Sequence, residues 1–244
     1  MIHKKNTIMR KSRKSMKSRK SKEKLSIINT PISNERSKGT RSSKGKIFYS
    51  HSKYININNF FHHIKLKNLY NEFPFIELVF NKDSIIPHYN KYYKIGKKKL
   101  TVFIINASSQ GDNHANVAIV NPKQKQVEFF EPHGYRRNKN SGHDDFGIKG
   151  FYQKKLETIK EIFKKYLPNY DFINVVEYER KTNFQSLKDS GRGFCITWCI
   201  LFIHYRCINP HIPLKTITKH IANFITTDKL LKYAHYVEKI LKKY

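Results

Sequence analysis

Residues 190–203 read Ser-Gly-Arg-Gly-Phe-Cys-Ile-Thr-Trp-Cys-Ile-Leu-Phe-Ile. Flexible, polar residues run straight into an apolar stretch long enough to be a buried helix, which stops near Asn209-Pro210. Such a helix demands a core around it, so the rest of the chain must supply a sheet or further helices to cover it. The junction between the two textures falls at Cys195. A thiol at a helix N-terminus meets backbone N–H groups without intrahelical partners and the positive end of the macrodipole. Both favour the thiolate, the reactive form of cysteine, which makes Cys195 a candidate nucleophile. Cys199 lies one turn deeper, away from those N–H groups, and reads as a small buried hydrophobe.

The chain can build the cover that this helix needs. It has 244 residues, 39% of them apolar and 14% aromatic, enough for a packed domain. Residues 54–71 carry Ile57, Phe60, Phe61, Ile64 and Leu66 near helical spacing, and 100–105 read as a strand. A hairpin follows: Val117 to Val120, a turn at Asn121-Pro122-Lys123-Gln124, then Gln126 to Phe130. Residues 151–166 form an amphipathic helix with Leu156, Ile159, Ile162 and Phe163 on one stripe, continued by Leu167. Residues 171–178 read as a strand, and helices over about 214–225 and 228–242 close the chain. The pattern is a mostly antiparallel sheet with helices packed on it, an α+β domain over residues 47–244.

The net charge of +30 gives a surface that attracts polyanions. It is densest in residues 1–46, where Arg10 to Lys22 are almost entirely Lys, Arg and Ser. That segment has no core-forming period and is expected to be a disordered tail. It reads as a nucleic-acid arm, an import signal or a plain solvated appendage. The three cysteines, Cys195, Cys199 and Cys207, are odd in number and clustered, so no disulfide framework is expected and a reducing compartment is. With His204 they lack the paired short spacings of a structural zinc site. No apolar run reaches the ~18 residues of a membrane span. No apolar segment follows the N-terminal charges, so secretion is not expected either.

A nucleophile needs a base and something to orient it. His114 precedes the first hairpin strand in Gly-Asp-Asn-His-Ala-Asn, and Glu131 ends the second in Phe-Phe-Glu-Pro-His-Gly. The mouth of a hairpin brings the outer ends of its strands together, so His114 is expected beside Glu131. A carboxylate there can hold the imidazole in one tautomer while the other ring nitrogen faces a nucleophile. Asp112 and His133 flank the site and could take the orienting role instead.

The order His, acid, helix-borne Cys resembles the adenain/Ulp1-like cysteine peptidases. The strings His-Ala-Asn, Phe-Glu-Pro-His-Gly and Gly-Phe-Cys-Ile-Thr-Trp-Cys look most like the giant-virus members, the mimivirus-type thiol proteases. The resemblance covers about residues 100–208. Where many members have Trp after the histidine this chain has Ala115, and Glu131 stands for the usual Asp. The resemblance implies a papain-like fold of the adenain/Ulp1 type, with the catalytic Cys at the N-terminus of a buried helix. It implies His114, Glu131 and Cys195 as the catalytic set, with Gln185 as an oxyanion donor ten residues before the thiol (195 − 185 = 10). It further implies a cysteine-type endopeptidase that cleaves polypeptides without metal or organic cofactor. A viral member would process structural precursors during virion maturation, in the virion or the infected cell. Three other readings stay open: a SUMO- or ubiquitin-like deconjugating protease, a YopJ-type acetyltransferase (which favours a His-Glu-Cys set), and a basic nucleic-acid-binding protein with an inactive protease domain.

Overall fold

The structure is a computed structural model that describes residues 29, 31, 57, 59–66, 69–71, 75–81, 84–89, 95, 97–109, 112–132, 151–179, 184 and 194–243. The expected tail, residues 1–46, lies outside these except for Asn29 and Pro31.

Strand β4 (Leu100–Ser109) is the spine of a seven-stranded sheet. Residues 101–107 of β4 are all buried, as expected of a strand covered on both faces. Strand β5 (Asp112–Asn121) pairs with it antiparallel from Thr101↔Val120 to Ser109↔Asp112, and β6 (Gln126–Phe130) pairs antiparallel with β5. The turn between β5 and β6 is held by Asn121, whose Nδ2 donates to Gln124 Oε1 and whose Oδ1 accepts from the Gln124 N–H. Lys125 closes the turn at φ 51°, the left-handed region.

The flanks of the sheet depart from a purely antiparallel plan. β1 (Tyr70–Asn71) and β2 (Phe75–Asn81) both run parallel to β4, one after the other along the same edge. β3 (Ser84–Tyr89) hairpins onto β2 as the outermost strand, the place where its Pro87 is tolerated. On the far side β7 (Asp171–Asn174) lies parallel to β6, the intervening chain including helix α1 (Phe151–Tyr166). Beyond Asn174 the expected strand turns into a short 3-10 helix, Val175–Glu179. Sequence reading found neither β2 nor β3.

The remaining helices follow the expected periods closely: α2 (Cys195–Ile208), α3 (Leu214–Phe224) and α4 (Thr227–Leu241). The first expected helix is shorter than its apolar spacing suggested. It is helical to His63 and stops because Lys65 takes φ 60°. There the Leu66 N–H bonds Phe61 O and the Lys65 N–H bonds His62 O, the paired bonds of a Schellman end.

Two cores result from the alternation of the strands. Val102, Ile104, Val117 and Ile119 face α2, α3, α4 and the early helix. Phe103, Ile105, Ala118 and Val120 face Ile159, Ile162 and Phe163 of α1. Helix α2 is buried at every residue from Cys195 to Cys207, as an all-round apolar helix must be. Its C-terminal half is bolted to the sheet by Arg206, which grips Glu128 of β6 through Nε and Nη2, both at 2.7 Å, with neither side chain exposed. At the same end, Asn209 Nδ2 donates to Asn29 O (2.8 Å) and Asn209 Oδ1 accepts the Asn29 N–H (2.9 Å). One residue of the expected tail is therefore paired to the fold as a strand neighbour would be.

Candidate active site

The hairpin mouth carries the first two candidates. Backbone pairing of β5 with β6 ends at Val117↔Phe130, and Glu131 is the next residue. His114 lies three residues beyond Val117 on the other strand. The two side chains meet: His114 Nε2 contacts Glu131 Oε1 directly, and both residues are buried, at 5% and 0% exposure. With Nε2 turned to the carboxylate, Nδ1 is the ring nitrogen that would address a nucleophile.

Glu131 has a second partner that sequence reading missed. Its Oε2 contacts the ammonium of Lys155 on α1, itself only 1% exposed. Lys155 Nζ also donates to Asn116 Oδ1 (3.3 Å), and Asn116 Nδ2 donates back to the backbone oxygen of His114 (3.3 Å). The result is a closed circuit, His114 to Glu131 to Lys155 to Asn116 and back to His114. A signal for it was present in the sequence. Lys155 sits four and seven residues before Ile159 and Ile162, on the stripe that the helix buries. A lysine in that position needs a buried counter-charge.

Cys195 is the first residue of α2 and 5% exposed. Phe194 stands at the N-cap and its own side chain makes no capping hydrogen bond. Trp198 N–H to Phe194 O (2.9 Å) is the first helical bond. The helix packs against β5, and the contact is specific at one point: Cys199 Sγ donates to the backbone oxygen of Ala115, 3.4 Å away. Ala115 is the neighbour of His114, and Cys199 stands one turn, about 6 Å of rise, past Cys195. This bond sets the opening turn of α2 against the strand end that bears His114.

Burial disfavours the thiolate of the other two cysteines. Burial pushes Cys199 well above the ordinary thiol range, with Cys195 and Glu131 adding to the rise and Lys155 opposing it. Burial takes Cys207 up to about 12, with Arg206 offsetting part.

Gln185, His133 and the side chain of Asp112 lie outside the described residues. Phe184, immediately before Gln185, is fully buried between Phe130 (centroids 5.4 Å apart) and Trp198 (5.5 Å). Those rings precede Glu131 by one residue and follow Cys195 by about one turn.

No family model matches the chain. A protein of Acanthamoeba polyphaga mimivirus named for ankyrin repeats is 25% identical over 143 residues, covering 54% of this chain and 19% of that protein. The chain thus spans about a fifth of the length of the curated relative it matches. That name is not that of a thiol protease, and the described residues form a mixed sheet with helices rather than stacked helix pairs. Two solved structures of ChlaDub1 from Chlamydia trachomatis are each 12% identical and cover 59% of this chain, and 62% and 57% of their own, at TM-scores of 0.35 and 0.36. Likeness of that degree says nothing about activity. No helix among the described residues is long and apolar enough to cross a membrane.

Proposed function

We propose that the chain is a cysteine-type peptidase in which Cys195 is the nucleophile, His114 its base and Glu131 the group that orients His114. The observation that supports this best is the contact of His114 Nε2 with Glu131, on a strand whose next residue, Ala115, bonds the opening turn of the Cys195 helix. His114 Nδ1 accepts the Cys195 proton, and the thiolate adds to the scissile carbonyl. The Cys195 backbone N–H, with the Gln185 amide, holds the oxyanion. The leaving amine departs with the proton from His114 and a thioester remains on Cys195. Water then attacks with His114 taking its proton, the carboxylic acid leaves, and the thiol is restored.

The substrate is a polypeptide, and two kinds of bond suit the reading: a peptide bond in a precursor, such as a virion protein, or the bond that joins a ubiquitin- or SUMO-like modifier to its target. Both leave an acyl group on the same sulfur. The test pairs a peptide-library cleavage assay with electrophilic probes built on ubiquitin and SUMO C-termini, run on the wild type, Cys195→Ala and His114→Ala. Cleavage or probe capture by the wild type, lost in both variants, sustains the reading, and the responding arm identifies the bond. Cleavage that survives in Cys195→Ala overturns it. Acetyl transfer from acetyl-CoA with no hydrolysis in either arm would move the chain to the acyltransferases.

A further inference from the structure

Glu131 is fully buried, and a buried carboxylate without a counter-charge is costly, so something must neutralise it. Each of its oxygens is touched by a group that can carry the balancing charge: the His114 imidazole on Oε1 and the Lys155 ammonium on Oε2. If His114 alone balanced the carboxylate, its proton would be committed to that charge. We propose, resting on the reading of His114 as the base, that Lys155 is a positioning residue of the site: it supplies the standing counter-charge of Glu131, so that His114 faces a neutral, oriented ion pair and keeps its proton for exchange with Cys195.

The geometry supports this from three sides. Lys155 projects from the buried stripe of α1, a place where a long cationic side chain persists only with a partner. Its ammonium bridges Glu131 and Asn116, which fixes the carboxylate plane relative to β5. Asn116 in turn holds the backbone oxygen of His114, so the circuit grips the histidine at ring and main chain together. Among the described residues, the charged groups linked to His114 through this circuit are Glu131 after β6 and Lys155 on α1, and Cys199 on α2 lies near enough to feel both of their charges. Toward the imidazole the Glu131–Lys155 pair acts as a dipole with its negative end forward, more like a primary amide than a bare anion.

The consequence is electrostatic. Remove the cation, and Glu131 becomes an uncompensated anion against the imidazole, which favours the imidazolium and raises the titration midpoint of His114. Remove the carboxylate and keep the cation, and the midpoint falls. The experiment follows the ring protons of His114 by NMR across pH in the Cys195→Ala background, which takes thiol ionisation out of the curve. His114→Gln assigns the signal. Relative to that background, Lys155→Met is expected to raise the midpoint by about one pH unit or more, Lys155→Arg to leave it near its starting place, and Glu131→Gln to lower it. Glu131→Gln with Lys155→Met together replaces the buried ion pair by a neutral pair of similar volume and should return the midpoint to within about half a unit of the parent. Should Lys155→Met alone fail to fold, Glu131→Gln and the double variant carry the test. An unmoved midpoint in folded Lys155→Met, or in Glu131→Gln, overturns the proposal. Since the titration needs no turnover, a chain that cleaves nothing can still show the shifts. Conversely, a working peptidase with a fixed midpoint rejects this proposal alone.

Discussion

Cys195, Cys199 and Cys207 share one helix, and their surroundings separate them. Cys199 and Cys207 are buried in apolar side chains that penalise the thiolate, whereas Cys195 is the first residue of α2, at the positive end of its dipole. Iodoacetamide should therefore alkylate Cys195 first in the folded protein. With its thiol at about 12, Cys207 holds roughly one part in 10⁴ as thiolate at pH 8. Mass mapping of the labelled peptides checks this, and equal labelling of all three thiols would count against an activated nucleophile. A second residue-scale consequence lies far from the site. His204 is buried between Phe60 and Phe61 with its Nδ1 3.0 Å from Tyr233 Oη, and burial lowers it from 6.5 to about 4. A depressed histidine stabilises the fold fully above its unfolded value, and that contribution is lost as pH falls from 6.5 toward 4. At most this is worth about 3 kcal/mol. Urea midpoints at pH 7 and pH 5 should fall apart in the wild type, and less so in His204→Phe, which cannot titrate.

Helix α2 is held at both ends by the sheet, through Cys199 to Ala115 near its start and through Arg206 to Glu128 near its end. The second hold is the stronger. Arg206→Met leaves Glu128 as a buried carboxylate without its cation and should cost about 3–5 kcal/mol, much of it recovered by adding Glu128→Gln. Burial already pushes Glu128 up, with Arg206 pulling it back. A raised carboxyl favours the fold below its unfolded pKa and loses that advantage as pH rises. The deficit of Arg206→Met should therefore be smallest below about 4.5 and grow toward neutrality, which urea melts at pH 4 and pH 7 compare. What was legible beforehand at this scale was what is local. The β5–β6 register depends on a four-residue turn, so the meeting of His114 and Glu131 followed from spacing, and the periods of α1 to α4 gave their bounds almost to the residue. What was illegible is non-local. β3 hides behind Pro87, which a single sequence reads as a strand breaker. The parallel edges of β2 and β7 depend on long connections that no local pattern encodes. Lys155 reaches Glu131 across 24 positions, and only the completed packing of α1 on the sheet brings them together.

The whole molecule joins an unevenly charged chain to one fold, and the joint is visible. The Arg10–Lys22 run would make an arm for polyanions, yet Asn29, a few residues later, is paired to Asn209 at the far end of α2 from Cys195. Binding of the arm to a nucleic acid would concentrate the protein near co-localised substrates. Two truncations separate the arm from its attachment. Removal of residues 1–24 should leave the melting temperature unchanged and flatten the salt dependence of duplex DNA binding, by about 0.9 in the log–log slope for each phosphate no longer neutralised. Removal of 1–46 should flatten it no less and also leave the amide of Asn209, 3% exposed in the intact fold, without the Asn29 backbone. Loss of two hydrogen bonds at a part-buried position should cost about 1–2 kcal/mol. Lysines on α3 and α4 stay in both shortened chains, so residual binding should persist. Equal slopes for the full chain and the shorter truncation would show that the arm does not engage DNA. Equal melting of the two truncations would show that the Asn29–Asn209 pairing does not hold the fold.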